Sequence, residues 1–184
     1  MPFHTTAFPG LLVYEPKVFG DHRGYFFESY NKSLFENEDV HYNFVQDNQA
    51  RSTFGVIRGL HYQMNPHAQT KLIRAVYGKI IDAVVDLRKN SPTYGKAYAI
   101  ELSDENKKQL LIPRGFAHGY SVISETAEVF YKCDNFYSKG SEGGIAWNDP
   151  GLGIDWKIPA GKEIISEKDA ILPVFKNATH NFDF

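Results

Sequence analysis

"KLIRAVYGKIIDAVVDL", residues 71–87, is the stretch that settles the kind of fold. Lys71–Tyr77 and Lys79–Leu87 are short apolar runs rich in Val and Ile, and the single Gly78 separates them. Runs of this length, bounded by a breaker, read as buried strands. In the second run Ile80, Asp82, Val84 and Asp86 share one face, with Ile81, Ala83 and Val85 on the other. Two carboxylates inside an apolar strand need partners, so Asp82 and Asp86 are read as turn residues or hydrogen-bond partners of basic neighbours.

The same pattern extends in both directions. Upstream lie "LLVYEPKV" (Leu11–Val18), "YFFESY" (Tyr25–Tyr30), "NFVQDN" (Asn43–Asn48) and "VIRGLHYQ" (Val56–Gln63). Downstream lie "AYAIELS", "QLLIP", "AHGYSVI" and "AEVFYKC", with Gly, Pro, Asn or Asp in nearly every gap. Helical signals are confined to "NKSLFENE" (Asn31–Glu38), with Asn31 as N-cap, and "SEKDA" (Ser166–Ala170). About ten short strands with only short helical turns predict an all-β fold, a jelly-roll sandwich or barrel, spanning residues 1–184 as one domain.

Composition agrees and narrows the function. Aromatic residues make up 15% of the 184 residues, and 42% are hydrophobic, enough for a sizeable core. The formal net charge of -2 offers no general attraction to nucleic acid or to an anionic membrane. Any bound anion must be held by a local cluster. Cys133 is the sole cysteine, which excludes an internal disulfide and suits a reducing cytoplasm. The opening "MPFHTTAFPGLLVYEP" lacks the basic and apolar segments of a signal peptide, and no apolar run approaches the ~20 residues of a membrane span.

"VIRGLHYQ" carries the chemistry, because Arg58, Gly59 and His61 have no use in a purely structural strand. Metal-binding jelly rolls hold their ion with a His-x-His pair, a carboxylate and a later histidine. Here "IPRGFAHG" supplies the later His118, but Gln63 stands where the second ligand belongs, and no metal or other cofactor is expected. A histidine backed by a carboxylate is instead a base that titrates near neutral pH. Lys71 and Tyr131, on strand faces of the same fold, would supply a cation and a phenol for making and quenching an enolate. Arg23, Arg58, Lys71, Arg114 and Lys168 are candidate anion contacts, since arginine forks suit diphosphates. Strict alternation puts Arg58 and His61 on opposite faces, so an irregularity is expected at Gly59.

The ordered set "DHRGYFFESY", "FVQDNQARS", "GVIRGLHYQ", "QTKLIRAVYGKIIDAVVDLR", "SPTYGK", "IPRGFAHGY", "AEVFYKC", "WNDPGLGIDW" and "SEKDA" closely resembles the dTDP-4-dehydrorhamnose 3,5-epimerase family, from about Phe3 to Leu172. The resemblance implies a metal-free cupin jelly roll acting as a homodimer with swapped N-terminal strands. It implies His61 as base, Asp169 as its carboxylate partner, Tyr131 as acid on the other face of the sugar, and Lys71 as the enolate stabiliser. Arg23, Glu28, Gln46, Asp47, Asn48, Arg58, His118, Glu142 and Lys168 match contacts to a dTDP-sugar substrate, and Tyr137 matches a ring stacked on thymine. Ala50 and Asp134 depart from the family pattern, away from this chemistry. The rival readings are a sister epimerase inverting only C3 or only C5, a non-catalytic sugar-binding jelly roll, and a metal-dependent oxygenase.

Overall fold

The structure, a computed structural model, describes residues 2–184. In chain order its strands are β1 (Phe3–Thr5), β2 (Leu12–Tyr14), β3 (Phe19–Asp21), β4 (Gly24–Phe26), β5 (Gln46–Thr53), β6 (Ile57–Gln63) and β7 (Lys71–Tyr77). Then follow β8 (Lys79–Asp86), β9 (Ala97–Ser103), β10 (Gln109–Ile112), β11 (Phe116–Val122), β12 (Thr126–Cys133) and β13 (Glu142–Gly144). The short helices α1 (Lys32–Asn37) and α2 (Glu167–Ala170) interrupt them. Two antiparallel sheets result, in the orders β1-β2-β10-β7-β12-β5 and β13-β6-β11-β8-β9, with β3-β4 as a separate hairpin. This is the expected jelly-roll sandwich.

The single residue between β7 and β8 explains how the sandwich closes. One residue is too few for a hairpin, and the two strands lie in different sheets. Gly78 makes that corner with φ +71°, where an added Cβ would collide with the Thr126 carbonyl oxygen. Only glycine fits both the angle and the space.

Between the sheets, Ile73, Ala75, Leu110, Ile112 and Val129 meet Ile80, Val84, Leu102, Phe116 and Val122 in one buried cluster. The other face of the five-stranded sheet packs Leu60, Tyr62, Ala83 and Val85 against Ile145, Leu152, Trp156 and Phe182 of the C-terminal segment. β8 is therefore buried on both faces, which is why its sequence reads as a nearly continuous apolar run. Asp86 in that run accepts hydrogen bonds from Arg88 Nε (2.9 Å), Ser91 Oγ (2.6 Å) and Thr93 Oγ1 (2.7 Å), the partnership that its burial demands.

Several boundaries differ from those read in the sequence. β2 ends at Tyr14 rather than Val18 because Pro16 has no N–H to pair. The run Tyr25–Tyr30 contributes only to the short β4, and Asn43–Asn48 yields a strand that starts at Gln46 and continues to Thr53. α1 matches its expectation, with Asn31 Oδ1 accepting from the Leu34 amide at 3.3 Å.

Candidate active site

The site is built around an irregular strand. His118 of β11 pairs with His61 of β6, and Tyr120 pairs with Arg58, so two residues of one strand span three of the other. β6 is bulged at Gly59–Leu60, where the peptide is cis and Gly59 has φ +123°. A Cβ on Gly59 would lie 2.6 Å from Gly119 Cα, so the two strands approach only because both residues are glycine. The bulge brings Arg58 and His61 to one cavity between the sheets. This is the irregularity expected at Gly59, and it resolves the conflict with alternation.

His61 Nε2 lies 2.7 Å from Asp169 Oδ1. Asp169 sits in the first turn of α2, where its amide donates to the N-cap Ser166 Oγ at 3.1 Å. Its Oδ2 accepts the Gly59 amide at 3.2 Å, tying the bulge to the carboxylate. Asp169 is buried, yet hydrogen bonds and the charge of His61 hold its carboxyl below the usual range against that burial. A carboxylate at Nε2 keeps the proton on that nitrogen and leaves Nδ1 as the basic lone pair.

The facing sheet supplies the other two groups. Tyr131 projects from β12, and burial with the neighbouring Cys133 and Tyr120 pushes its phenol up to about 12. It is therefore protonated at neutral pH and able to donate. Lys71 opens β7 with Nζ 5.9 Å from the centre of the Tyr131 ring. Burial lowers its pKa from the ordinary lysine value, a shift that Cys133 and Asp82 oppose. His118, a second cavity residue, is bonded through Nε2 to Asp82 Oδ2 at 2.8 Å, both side chains being buried.

His61, Asp169, Tyr131, Lys71 and His118 line a cavity of about 480 Å³ that is lined also by Arg58, Tyr120, Ile164, Ile165, Ser166 and Lys168. A second lobe of about 230 Å³ shares His61, Lys71 and Tyr131 with it and is lined further by Gln46, Asn48, Tyr137 and Glu142. Lys168 Nζ bonds Glu142 Oε2 at 2.8 Å, linking the two lobes at the rim. Three expected contacts are not among the lining residues. Asp47 pairs with Lys132 at 3.0 Å, since alternation along β5 turns it away from Gln46 and Asn48. Arg23 grips Asp21 at 2.6 Å on the β3–β4 hairpin, and Glu28 accepts from Asn31 at 3.0 Å beyond it.

Gln63 has a structural task. Its Nε2 donates to the His67 carbonyl at 2.7 Å and its Oε1 accepts the Ser138 amide at 2.6 Å. Among the described residues no three His, Cys, Asp or Glu side chains converge on a common point.

The family model for dTDP-4-dehydrorhamnose 3,5-epimerase matches residues 5–177. This chain belongs to that family. A dTDP-4-dehydrorhamnose 3,5-epimerase of Shigella flexneri is 53% identical over 165 residues, covering 89% of this chain and 90% of the relative. A crystal structure of the Elizabethkingia anophelis NUHP1 enzyme is 52% identical, with TM-score 0.90 over 95% of this chain and 96% of the other. The Legionella pneumophila enzyme, solved in complex with dTDP-4-keto-L-rhamnose, is 41% identical with TM-score 0.90, over 95% of this chain and 93% of the other.

Sequence reasoning missed Tyr120 and Ile164–Ile165 as cavity residues, and it singled out Asp82 without placing it here. The inward carboxylate was the signal for Asp82, whereas Tyr120 looks like any core aromatic. Lys71 also gives a pH prediction for an enzyme of this family. A cationic role at this cavity is open to it only below its pKa, which burial lowers. Activity is therefore expected to fall on the alkaline side below the ordinary lysine value of about 10.4. Lys71→Arg, which stays charged, is expected to lose that limb of the kcat–pH profile. An unchanged limb in the variant assigns it to another group.

Proposed function

We propose that this chain converts dTDP-4-dehydro-6-deoxy-D-glucose to dTDP-4-dehydro-L-rhamnose, with His61 as base and Tyr131 as acid. The observation that carries the reading is their placement on opposite sheets facing one cavity, His61 on β6 and Tyr131 on β12. A sugar ring held between them presents one face to each. The C4 ketone acidifies the hydrogens at C3 and C5, so no hydride carrier is needed. His61 takes a proton to give an enolate, and Tyr131 returns one to the other face of the same carbon. That inverts the centre, and the two side chains re-equilibrate with solvent before the second carbon reacts.

Asp169 orients His61 and stabilises the imidazolium that forms. Lys71 neutralises the charge developing on O4, a role worth ~10²–10³ in rate at comparable oxyanion sites. Arg58 holds the diphosphate, Tyr137 stacks on thymine, and Gln46, Asn48, Glu142, His118 and Lys168 complete the substrate contacts. The direct test is NMR of the product formed from dTDP-4-dehydro-6-deoxy-D-glucose. Ring proton couplings report inversion at both carbons if the reading holds. Inversion at C3 alone or C5 alone would make this a sister enzyme of the family.

The working form is a homodimer. Phe19, Tyr25 and Phe26 on the hairpin are 54%, 60% and 66% exposed, an apolar surface that suits burial against a second copy. In the dimer this arm carries Arg23 and Glu28 to the partner's cavity. Mixing an Arg23→Ala chain with a His61→Ala chain is then expected to restore activity, because each mixed dimer contains one intact site. Absence of rescue after subunit exchange would place Arg23 in its own chain's site. The cytoplasm is the expected compartment, supported by the chemistry of a lone buried Cys133. No helix is long and apolar enough to cross a membrane among the described residues.

A further inference from the structure

The inward face of β5 carries Gln46, Asn48, Ala50 and Ser52, and the first three line the two lobes of the cavity. Ser52 lines neither and is only 7% exposed. A buried hydroxyl needs a partner, and Ser52 Oγ accepts from Arg58 Nε at 3.0 Å. The chain makes this contact by turning at Gly55, midway between the two residues. There φ is +86°, and a Cβ would collide with the Lys162 carbonyl oxygen. The Val56 amide closes the turn on the Thr53 carbonyl at 3.2 Å. Beyond the turn, Ser52 pairs with Ala127 in one sheet and Arg58 with Tyr120 in the other, so both backbones are fixed.

Arg58 differs from the other arginines. Arg23, Arg51, Arg88 and Arg114 each pair with a carboxylate, and Arg74 lies over the rings of Phe27 and Phe130. Among the described residues no carboxylate comes within ion-pair distance of Arg58, and Ser52 engages only its Nε. Both Nη groups are thereby left for the cavity that Arg58 lines. We propose that Ser52 is a positioning residue for Arg58, holding its guanidinium so that the Nη fork is presented to the diphosphate; this rests on the reading above that gives Arg58 that contact. The fork is the part of the group that matches phosphate oxygens two at a time. An arginine already tied through Nε loses less freedom when the anion arrives than one that swings in solvent.

A double-mutant cycle read as dTDP affinity tests this, with Ser52→Ala, Arg58→Ala and the double variant beside wild type. Ser52→Ala should bind dTDP about three- to ten-fold more weakly, the range expected when one long side chain must be ordered on binding. In the Arg58→Ala background the same change should weaken binding by less than about twofold, because nothing is left to position. A merely structural serine would give the same loss in both backgrounds. Ser52→Cys keeps the size but offers a poor acceptor, so it should match Ser52→Ala, and it carries the cycle if the alanine chain does not fold. Full dTDP affinity without the serine hydroxyl, or equal losses with and without Arg58, would overturn the proposal. Full affinity in Arg58→Ala would instead remove the diphosphate contact, and the proposal with it. A failed epimerase reading would show separately, as wild-type dTDP binding with no conversion of the keto sugar.

Discussion

His61→Ala is expected to lower epimerisation by ~10²–10⁴-fold or more, the usual cost of losing a general base. Deuterium uptake at C3 and C5 should collapse together with inversion, because both carbons depend on the same imidazole. The fold should survive. The His61 side chain is 38% exposed and its one side-chain partner is Asp169, so little packing is removed. Asp169→Ala should also be severe, but it is a less clean test. That carboxylate also accepts the Gly59 amide, and deleting it strands a buried N–H at the bulge, a cost of about 1–3 kcal/mol. A folded His61→Ala protein that keeps near-normal turnover would move the base to another residue.

Tyr131→Phe is expected to separate exchange from inversion. The ring remains, and with it the contacts of Tyr131 against the inter-sheet core. What disappears is a phenol that burial keeps protonated up to about 12, the donor proposed for the far face of the sugar. His61 still abstracts a proton, exchanges it with solvent and returns it to the same face. The variant should therefore take up deuterium at C3 or C5 with little inversion, while wild type couples the two. Inversion at the wild-type rate would make the hydroxyl incidental. Equal loss of label and inversion would mean that Tyr131 takes part in forming the enolate.

How much of this was legible in the chain depends on sequence distance. The strand carrying Arg58, Gly59 and His61 could be read directly, and the conflict between alternation and a shared ligand pointed to Gly59 as the break. Asp82 was visible as an odd inward carboxylate, but its partner His118 lies 36 residues away and no local rule joins them. The Asp169 partnership, across 108 residues, came only from family resemblance. β5 was placed too early because "QDNQARST" is polar, as suits an edge strand paired only with β12. β13 was invisible, since Gly143 and Gly144 have no strand propensity and are held by pairing with β6. Tyr120 shows the limit most clearly. Nothing in "HGYSVI" separates a core phenol from one that lines the cavity, and only the three-dimensional packing does so.

The central claim is that one base and one acid, on opposite walls of a single cavity, serve both carbons beside the ketone. The most direct measurement is the reaction of the wild-type protein with dTDP-4-dehydro-6-deoxy-D-glucose in deuterated water, read by NMR. The account predicts solvent deuterium at both C3 and C5 of the product, with both centres inverted. Inverted product with no solvent label at either carbon would contradict it, because a base and an acid on opposite faces cannot return the proton that was removed.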